Sequence, residues 1–200
     1  MNPETTLNPY ATPSATLDVP ASTSDRLLYV VAPRKLLIMM LGTAGVYLVY
    51  WFYRNWAGLN ALHRAYWPVP RAIFSIFFTH ALFREVEQLR VRRGRSWTWP
   101  PATLAWVYVM SILVPSVINN LFLREQPVPA ILVGWVAWIP MFWSMYQAQR
   151  AINATEGDPD GQSNRSLTGA NVAWLALGAL YWLMQISMMV ILLNPALVTG

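Results

Sequence analysis

Four long runs without a charged residue constrain this chain more than any other feature. They cover Leu36–Tyr53 (18 residues), Ser96–Leu123 (28), Gln126–Gln149 (24) and Ser166–Gly200 (35). A helix needs about 20 mostly apolar residues to cross the roughly 30 Å hydrocarbon core of a bilayer. Only 12% of the 200 residues are charged and 56% are apolar, whereas charged residues make up about a quarter of an average soluble domain. The chain is therefore predicted to be an all-α integral membrane protein.

The four runs predict a bundle of four membrane-spanning helices. Their expected bounds are about 36–54, 102–123, 129–149 and 171–193. Pro115 and Pro140 are expected to kink the second and third of these helices, because proline removes a backbone donor. Residues 1–32 are rich in Pro, Ser and Thr and are predicted to be a disordered tail. The helical membrane domain is then expected to cover 33–200.

A shorter apolar stretch, Ala72–Phe83, lies between the first two runs. As a helix it would cover only about 18 Å at 1.5 Å per residue, which is too short to span the hydrocarbon core. Its apolar residues recur on one helical stripe that continues downstream, through Phe74, Phe78, Leu82, Val86 and Leu89. The stripe predicts an amphipathic helix over about 71–92 that lies in the membrane interface. The alternative is a fifth span over this stretch.

Basic residues fix the expected orientation only in part. The positive-inside rule places Lys and Arg preferentially in the cytoplasm. With four spans, ten basic residues lie inside and four outside, and with five spans the count is the same. Both arrangements place Arg84–Arg95 and Arg150–Gly169 in the cytoplasm, and the C-terminus outside. Charge therefore does not choose between the two arrangements.

The basic segment after the apolar stripe is the predicted contact surface. Arginines in a membrane protein commonly face anionic lipid headgroups, and each gains about 1 kcal/mol near such a surface. The expected contacts with lipid or with a protein partner are Arg84, Arg90, Arg92, Arg93, Arg95, Phe74, Phe78 and Leu82. A homo-oligomer is a further possible assembly. Nucleic acid is not an expected partner despite the net charge of +5.

Residues that could support catalysis or metal binding are scarce. The chain has no cysteine, and its two histidines, His63 and His80, have no acidic neighbour close in sequence to orient them. The loop sequence EGDPDGQSN lacks the twelfth-position glutamate of a calcium-binding loop. The sequence predicts no catalytic, cofactor-binding or metal-binding residue and no cofactor, and the protein is not expected to be an enzyme.

Polar residues inside the apolar runs leave one alternative open. Such groups mostly hydrogen-bond between helices. Asn119, Asn120 and Gln185 could instead line a polar path between the two proline-containing helices. The first functional hypothesis is a non-enzymatic membrane component that binds lipid or a partner. The alternative is a subunit of a small-molecule transporter or channel.

The segment GVYLVYWFYRNW, followed by RAIFSIFFTHALF, resembles a group of uncharacterised bacterial inner-membrane proteins. Those proteins share the form G-x-Y-x-x-Y-W-F-Y-x-N-W, followed by an arginine-led aromatic segment that ends in Leu-Phe and a basic residue. Here the pattern falls on Gly45, Tyr47, Tyr50, Trp51, Phe52, Tyr53, Asn55, Trp56, Arg71, Leu82, Phe83 and Arg84. The resemblance implies a multi-pass protein of the bacterial inner membrane, with a domain of unknown function and no known catalytic residues.

Overall fold

The computed structural model describes residues 26–63, 65–122 and 124–194, and every regular element within these ranges is helical. The helices are α1 (Pro33–Gly42), α2 (Tyr47–His63), α3 (Pro68–Ile73), α4 (Ser75–Arg92), α5 (Pro101–Phe122), α6 (Pro127–Val136), α7 (Trp138–Thr155) and α8 (Gly169–Leu193), with a short 3₁₀ turn at Gln162–Asn164. The all-α prediction is confirmed. Residues 1–25 of the predicted tail lie outside the described residues.

Three helical segments in the described ranges are long and apolar enough to cross a membrane. They are α5 with 22 residues, the consecutive helices α6 and α7 with 29 residues over Pro127–Thr155, and α8 with 25 residues. They correspond to the second, third and fourth predicted spans. The third begins and ends beyond its predicted bounds of 129–149, because the helix continues into a polar end that packs inside the protein.

The two prolines in these segments have different effects. The ring of Pro140 conflicts with the carbonyl of the residue four positions earlier, Val136, and α6 ends at that residue. Helix α7 then begins at Trp138. Pro115, in contrast, lies within α5, which continues from Pro101 to Phe122. The expected interruption is therefore observed at Pro140, while at Pro115 the helix is continuous.

The first predicted span, about 36–54, does not form one helix. Helix α1 ends at Gly42 and α2 begins at Tyr47, and the backbone between them turns through positive φ at Ala44 (50°) and Gly45 (81°). The Thr43 hydroxyl donates to the Met39 carbonyl at 2.6 Å and accepts from the Tyr47 N–H at 3.0 Å, so it closes one helix and begins the next. The uncharged run therefore contains a turn, which apolar composition alone does not reveal.

Helices α1 and α2 form a hairpin whose two ends lie at the same end of the molecule. Helix α1 starts beside the loop 156–168, where the Ala32 N–H donates to the Asn164 carbonyl at 3.3 Å. Its other end reaches the middle of α8, where a Cβ on Gly178 would lie 1.8 Å from the Gly42 carbonyl oxygen. Helix α2 then returns, and Asn55 accepts from the Tyr29 N–H at 3.0 Å. We call the end that contains residues 26–32 and 156–168 the loop end.

Residues 26–32, which were predicted as tail, belong to the folded core. Leu28, Val30 and Val31 are buried. Side chains at the end of α7 and directly after it bind the backbone of this segment: Glu156 accepts from the Leu28 N–H at 2.9 Å, and Asn153 donates to the Val31 carbonyl at 3.0 Å. The prediction of disorder is wrong here because these apolar residues follow directly on the Pro/Ser/Thr-rich composition that suggested it.

The predicted interfacial helix over 71–92 is the end of α3 and the whole of α4, separated at Phe74. Helix α4 packs along α5, and the Ser75 and Tyr108 hydroxyls lie 3.0 Å apart. Three residues of the stripe, Leu82, Val86 and Leu89, are therefore buried against protein. Other large side chains are also fully buried in the core. These include Trp51, Phe52, Trp56, Phe83, Met145 and Ile152.

Candidate functional site

The five arginines of the predicted contact surface divide into two groups. Arg90 makes a two-armed ion pair with Glu87, and Arg93 pairs with the buried Glu156. Arg84, Arg92 and Arg95 are exposed. The hydrogen bond from Arg90 is the largest influence on the pKa of Glu87, which it lowers. Arg90 is therefore paired within α4, and Arg93 ties the end of this helix to Glu156. The other three arginines remain available to an external partner.

The three apolar members of the predicted surface also lie in different environments. Phe74 is exposed, and Phe78 is half-buried with its ring 4.9 Å from the guanidinium carbon of Arg71. Leu82 has no exposed surface and belongs to the core between α4 and its neighbours. The periodic stripe correctly identified one face of a helix, but for Leu82 that face packs against protein and cannot contact lipid.

The structure does not assemble the predicted polar path. The Asn120 side chain donates to the Ser116 carbonyl of its own helix at 2.8 Å. Asn119 and Gln185 are half-buried, and in the described residues no hydrogen bond joins any two of the three side chains. Asn119 Oδ1 is buried without a partner in that same part of the chain.

Neither histidine has the surroundings of a metal ligand in the described residues. The ring of His80 stacks edge-on against Trp106, with centroids 4.7 Å apart. No group of three His, Cys, Asp or Glu side chains close enough to hold a metal ion is found within residues 26–63, 65–122 and 124–194. The side chain of His63 lies outside the described set.

A polar stripe at the end of α7 was not recognised in the sequence. Gln149 donates to the Tyr29 carbonyl at 3.0 Å and accepts from the Trp51 indole N–H. Asn153 lies four residues later and Glu156 three residues after that, so the three share one helical face. The intervals of four and three residues between these polar side chains, in an otherwise apolar segment, were a sequence signal for this polar face. Its role is structural, because all three side chains are used to hold the hairpin and residues 26–32.

The sequence also did not reveal a pocket of about 700 Å³ between α2, α3 and the start of α8. Its polar lining residues are Tyr29, Lys35, Thr43, Tyr47, Tyr50, Tyr53, Arg54, Asn164, Thr168 and Asn171. Its apolar lining residues are Val46, Val49, Val69, Ala72, Ile73, Ala170 and Trp174. These residues come from four separate segments of the chain, and only the tertiary fold brings them together. We call this cavity the hairpin pocket.

Two cations face the hairpin pocket. Lys35 is only 4% exposed, and its ammonium donates to Asn164 Oδ1 and to the Ser166 carbonyl, both at 2.7 Å. Burial lowers the pKa of Lys35. Arg54 donates to the Tyr50 hydroxyl at 2.7 Å, and its guanidinium carbon lies 4.9 Å from the centre of the Tyr29 ring. The lining residues include no Asp and no Glu.

The wall of the pocket at α8 is fixed by local sequence. Thr168 caps the helix by accepting from the Asn171 N–H at 3.3 Å, and Asn171 Oδ1 accepts in return from the Thr168 N–H at 3.0 Å. This reciprocal pair is a capping box, in which two donors of the helix start are satisfied. The first turn of α8, which contributes Ala170 and Asn171 to the lining, is therefore held by its own cap.

Comparisons with known proteins do not identify this chain. No family model, no curated protein and no solved structure matches it. The resemblance of Gly45–Arg84 to uncharacterised bacterial inner-membrane proteins therefore remains a prediction.

Proposed function

We propose that this chain is a multi-pass, non-enzymatic membrane component that takes an amphiphile from the bilayer into the hairpin pocket. The single observation that carries the proposal is the mixed lining of this cavity, in which two cations and several hydroxyls accompany valine and isoleucine side chains. Ligand pockets of roughly 300–1,000 Å³ are usual for small molecules, and this cavity falls within that range. A lipid matches both kinds of residue, with its headgroup at the polar groups and its acyl chain at the aliphatic ones.

The position of the pocket supports a ligand that arrives from the membrane. One wall is the first turn of α8, which is among the three helices long enough to span. Other lining residues, Val46 just before α2 and Val69 and Ile73 in α3, are between 53% and 60% exposed. Exposed aliphatic side chains beside a membrane helix are costly in water but not in contact with acyl chains.

We propose three spanning segments for the topology, formed by α5, by α6 with α7, and by α8. The hairpin of α1 and α2 would enter the membrane from the loop end and return to it. Of the 13 Lys and Arg residues in the described ranges, twelve then lie on the loop-end side, and only Arg124 lies at the opposite end. This asymmetry is larger than in either arrangement with four or five spans, and by the positive-inside rule it favours a cytoplasmic loop end.

The exposed arginines fit a membrane-facing role in this arrangement. Arg84, Arg92 and Arg95 would contact anionic headgroups at the cytoplasmic surface, and Phe74 would insert beside them. Arg90, Arg93 and Leu82 are assigned to the protein interior or its ion pairs and not to lipid. The bacterial inner membrane, expected from the resemblance, remains part of this proposal.

Photo-crosslinking in lipid nanodiscs tests the pocket directly. The probes are photoactivatable phosphatidylglycerol and phosphatidylcholine with a diazirine on the acyl chain. We expect crosslinked peptides from 46–54, 69–73 and 170–174, and loss of these crosslinks in Val49→Trp, because the indole would fill the apolar side of the cavity. Val117→Trp, at an exposed valine of α5 outside the pocket, should leave them unchanged. Equal crosslinking in Val49→Trp, or none in the native protein, would rule the site out.

A further inference from the structure

The two cations of the hairpin pocket differ from three arginines of this protein, which are paired with carboxylates. Arg26 pairs with Asp158 at 3.4 Å, Arg90 with Glu87, and Arg93 with Glu156. Lys35 and Arg54 have only neutral partners in the described residues, namely amide, carbonyl and hydroxyl oxygens. Lys35 is buried, whereas Arg54 is exposed. Burying a cation is costly unless an opposite charge or several hydrogen bonds compensate it, and Lys35 has hydrogen bonds but no opposite charge. The pocket therefore has positive charge that its own lining does not balance.

Tyr29 brings these two cations to the same part of the cavity. The guanidinium of Arg54 lies over its ring, at 4.9 Å from the centroid. Its hydroxyl lies 3.1 Å from Asn164 Nδ2 and 3.0 Å from the Tyr47 hydroxyl. Asn164 is also the residue that accepts from Lys35. Each cation is thus in contact with Tyr29 or with its direct hydrogen-bond partner, and together they frame one polar end of the pocket.

Donor groups remain available at this polar end. An ammonium carries three N–H donors and a guanidinium five, all without acceptor capacity. Two hydrogen bonds from Lys35 and one from Arg54 are made within the described residues. The remaining donors match a compact group with several anionic oxygens, because charge-assisted hydrogen bonds are about twice as strong as neutral ones and a guanidinium can bind two such oxygens at once.

We infer that the hairpin pocket is selective for an amphiphile with a compact anionic headgroup, a phosphate monoester or a carboxylate, held between Lys35 and Arg54. This inference rests on the proposed function, since it names the class of ligand for the same site. The acyl chain lies along Val46, Val49 and Ile73. The anionic headgroup supplies the negative charge that no Asp or Glu of the lining provides. A zwitterionic headgroup adds a bulky quaternary cation, which two nearby positive charges repel.

The test compares affinities in neutral nanodiscs doped with one probe at a time. The probes are phosphatidic acid, oleate and phosphatidylcholine, each competing with the crosslinking probe, and inorganic phosphate as a free anion. We expect phosphatidic acid or oleate to compete at least about tenfold better than phosphatidylcholine, which corresponds to one charge-assisted contact. Inorganic phosphate should compete weakly, because it lacks the chain. Equal competition by phosphatidylcholine would overturn the inference, as would phosphate competing as well as phosphatidic acid.

Variants separate this inference from the proposed function. Arg54→Gln is at an exposed residue and should weaken binding of the anionic probe about tenfold while crosslinking of phosphatidylcholine is retained. Lys35→Gln should act in the same direction, and Arg54→Gln keeps the test decisive if the buried Lys35 variant does not fold. Arg92→Gln, an exposed arginine outside the pocket, is the control. If Arg54→Gln binds the anionic probe as tightly as the native protein and crosslinks still form in the pocket, charge selection is refuted but lipid binding is not. If the native protein forms no crosslinks in the pocket, both proposals are refuted.

Discussion

The loop end and the opposite half of this protein are similarly apolar in sequence but are packed in different ways. At the loop end, Trp51, Phe83 and Ile152 have no exposed surface. In α8, by contrast, Leu177, Leu180 and Leu183 are each about 60% exposed although their surroundings in the chain are just as apolar. Only 11% of the most apolar window of α8 is buried. Apolar composition therefore reports that a segment avoids water, but not whether protein or lipid replaces that water.

Polar side chains mark the difference between the two regions. The loop end contains the buried residues Asn55, Gln149, Asn153 and Glu156, whose side chains bind backbone groups or indole N–H groups of other segments. In α5, Ser111 and Ser116 donate to carbonyls four residues earlier in their own helix. Inter-segment polar contacts thus fix the packing at the loop end. In the opposite half they are fewer, one being the hydrogen bond from the Trp182 indole to the Leu41 carbonyl.

The comparison predicts first an all-or-none difference in membrane sidedness. Single cysteines at Arg34, Leu62 and Glu125 in this cysteine-free chain should react with an impermeant maleimide in the order inside, inside and outside. Four spans require Arg34 outside, and five spans require Leu62 outside, because each arrangement makes the chain cross the membrane between 36 and 54. All three positions are in helical or turn residues with exposed side chains.

Ser166→Cys serves as the inside reference, since this exposed residue lies in the loop that contacts Lys35. Labelling of Arg34→Cys and Ser166→Cys from opposite sides would contradict the re-entrant hairpin and with it the definition of a single loop end. Accessibility of Leu62→Cys from outside would restore the alternative with five spans.

The largest stability effect is expected at Glu156. Its carboxylate pairs with Arg93 and accepts from the Leu28 N–H at 2.9 Å, while being 1% exposed. Glu156→Ala should lower the free energy of unfolding by about 3 kcal/mol, near the lower end of the cost of breaking a buried ion pair, because Arg93 keeps some access to water. Thermal unfolding in detergent measures the loss of stability. Trypsin cleavage after Arg26, recorded during the same heating, reports the release of residues 26–32.

Glu125→Ala is the matched control, because this exposed carboxylate lies in the connection at the opposite end. We expect a change within about 0.5 kcal/mol for it, as for most surface substitutions. Equal effects of the two substitutions would show that the loop end is not held together by Glu156.

Much of the fold could be anticipated from the sequence, and the failures have one physical cause. Long uncharged runs correctly located α5, the segment of α6 and α7, and α8, since length and hydropathy are sufficient for a spanning helix. The prediction of a continuous span failed at Thr43–Val46. There the Thr43 hydroxyl and Gly45, at φ 81°, turn the chain although the turn contains no charged residue. Sequence reasoning also failed for Leu82, because a periodic stripe is equally consistent with lipid and with protein as its partner.

The candidate site was less predictable than the fold. Lys35 and Arg54 flank the first uncharged run and looked like ordinary boundary residues of a span. They face one cavity only because α1 and α2 fold back on each other, and Asn164, Thr168 and Asn171 join them from a distant segment. A site formed by segments that are distant in sequence has no local residue spacing that could predict it. The polar stripe of α7, at intervals of four and three residues, did carry such a signal.

The sharpest form of the comparison changes the same residue type in both regions, and the smaller of its two effects is expected in α8. Leu82→Ala removes a side chain with no exposed surface and should cost about 3 kcal/mol, since neighbouring helices cannot fill the cavity. Leu180→Ala removes a side chain that is 64% exposed, and lipid chains can occupy the space it leaves. Lipid chains are as apolar as leucine, so exposing α8 to them involves no hydrophobic penalty. Leu180→Ala should therefore lower the free energy of unfolding by less than about 0.5 kcal/mol. Thermal unfolding of both variants in nanodiscs measures the difference. A cost at Leu180 comparable to that at Leu82 would mean that protein, in the form of another chain, covers α8 in the membrane, and that the opposite half is an interface and not a lipid-facing surface.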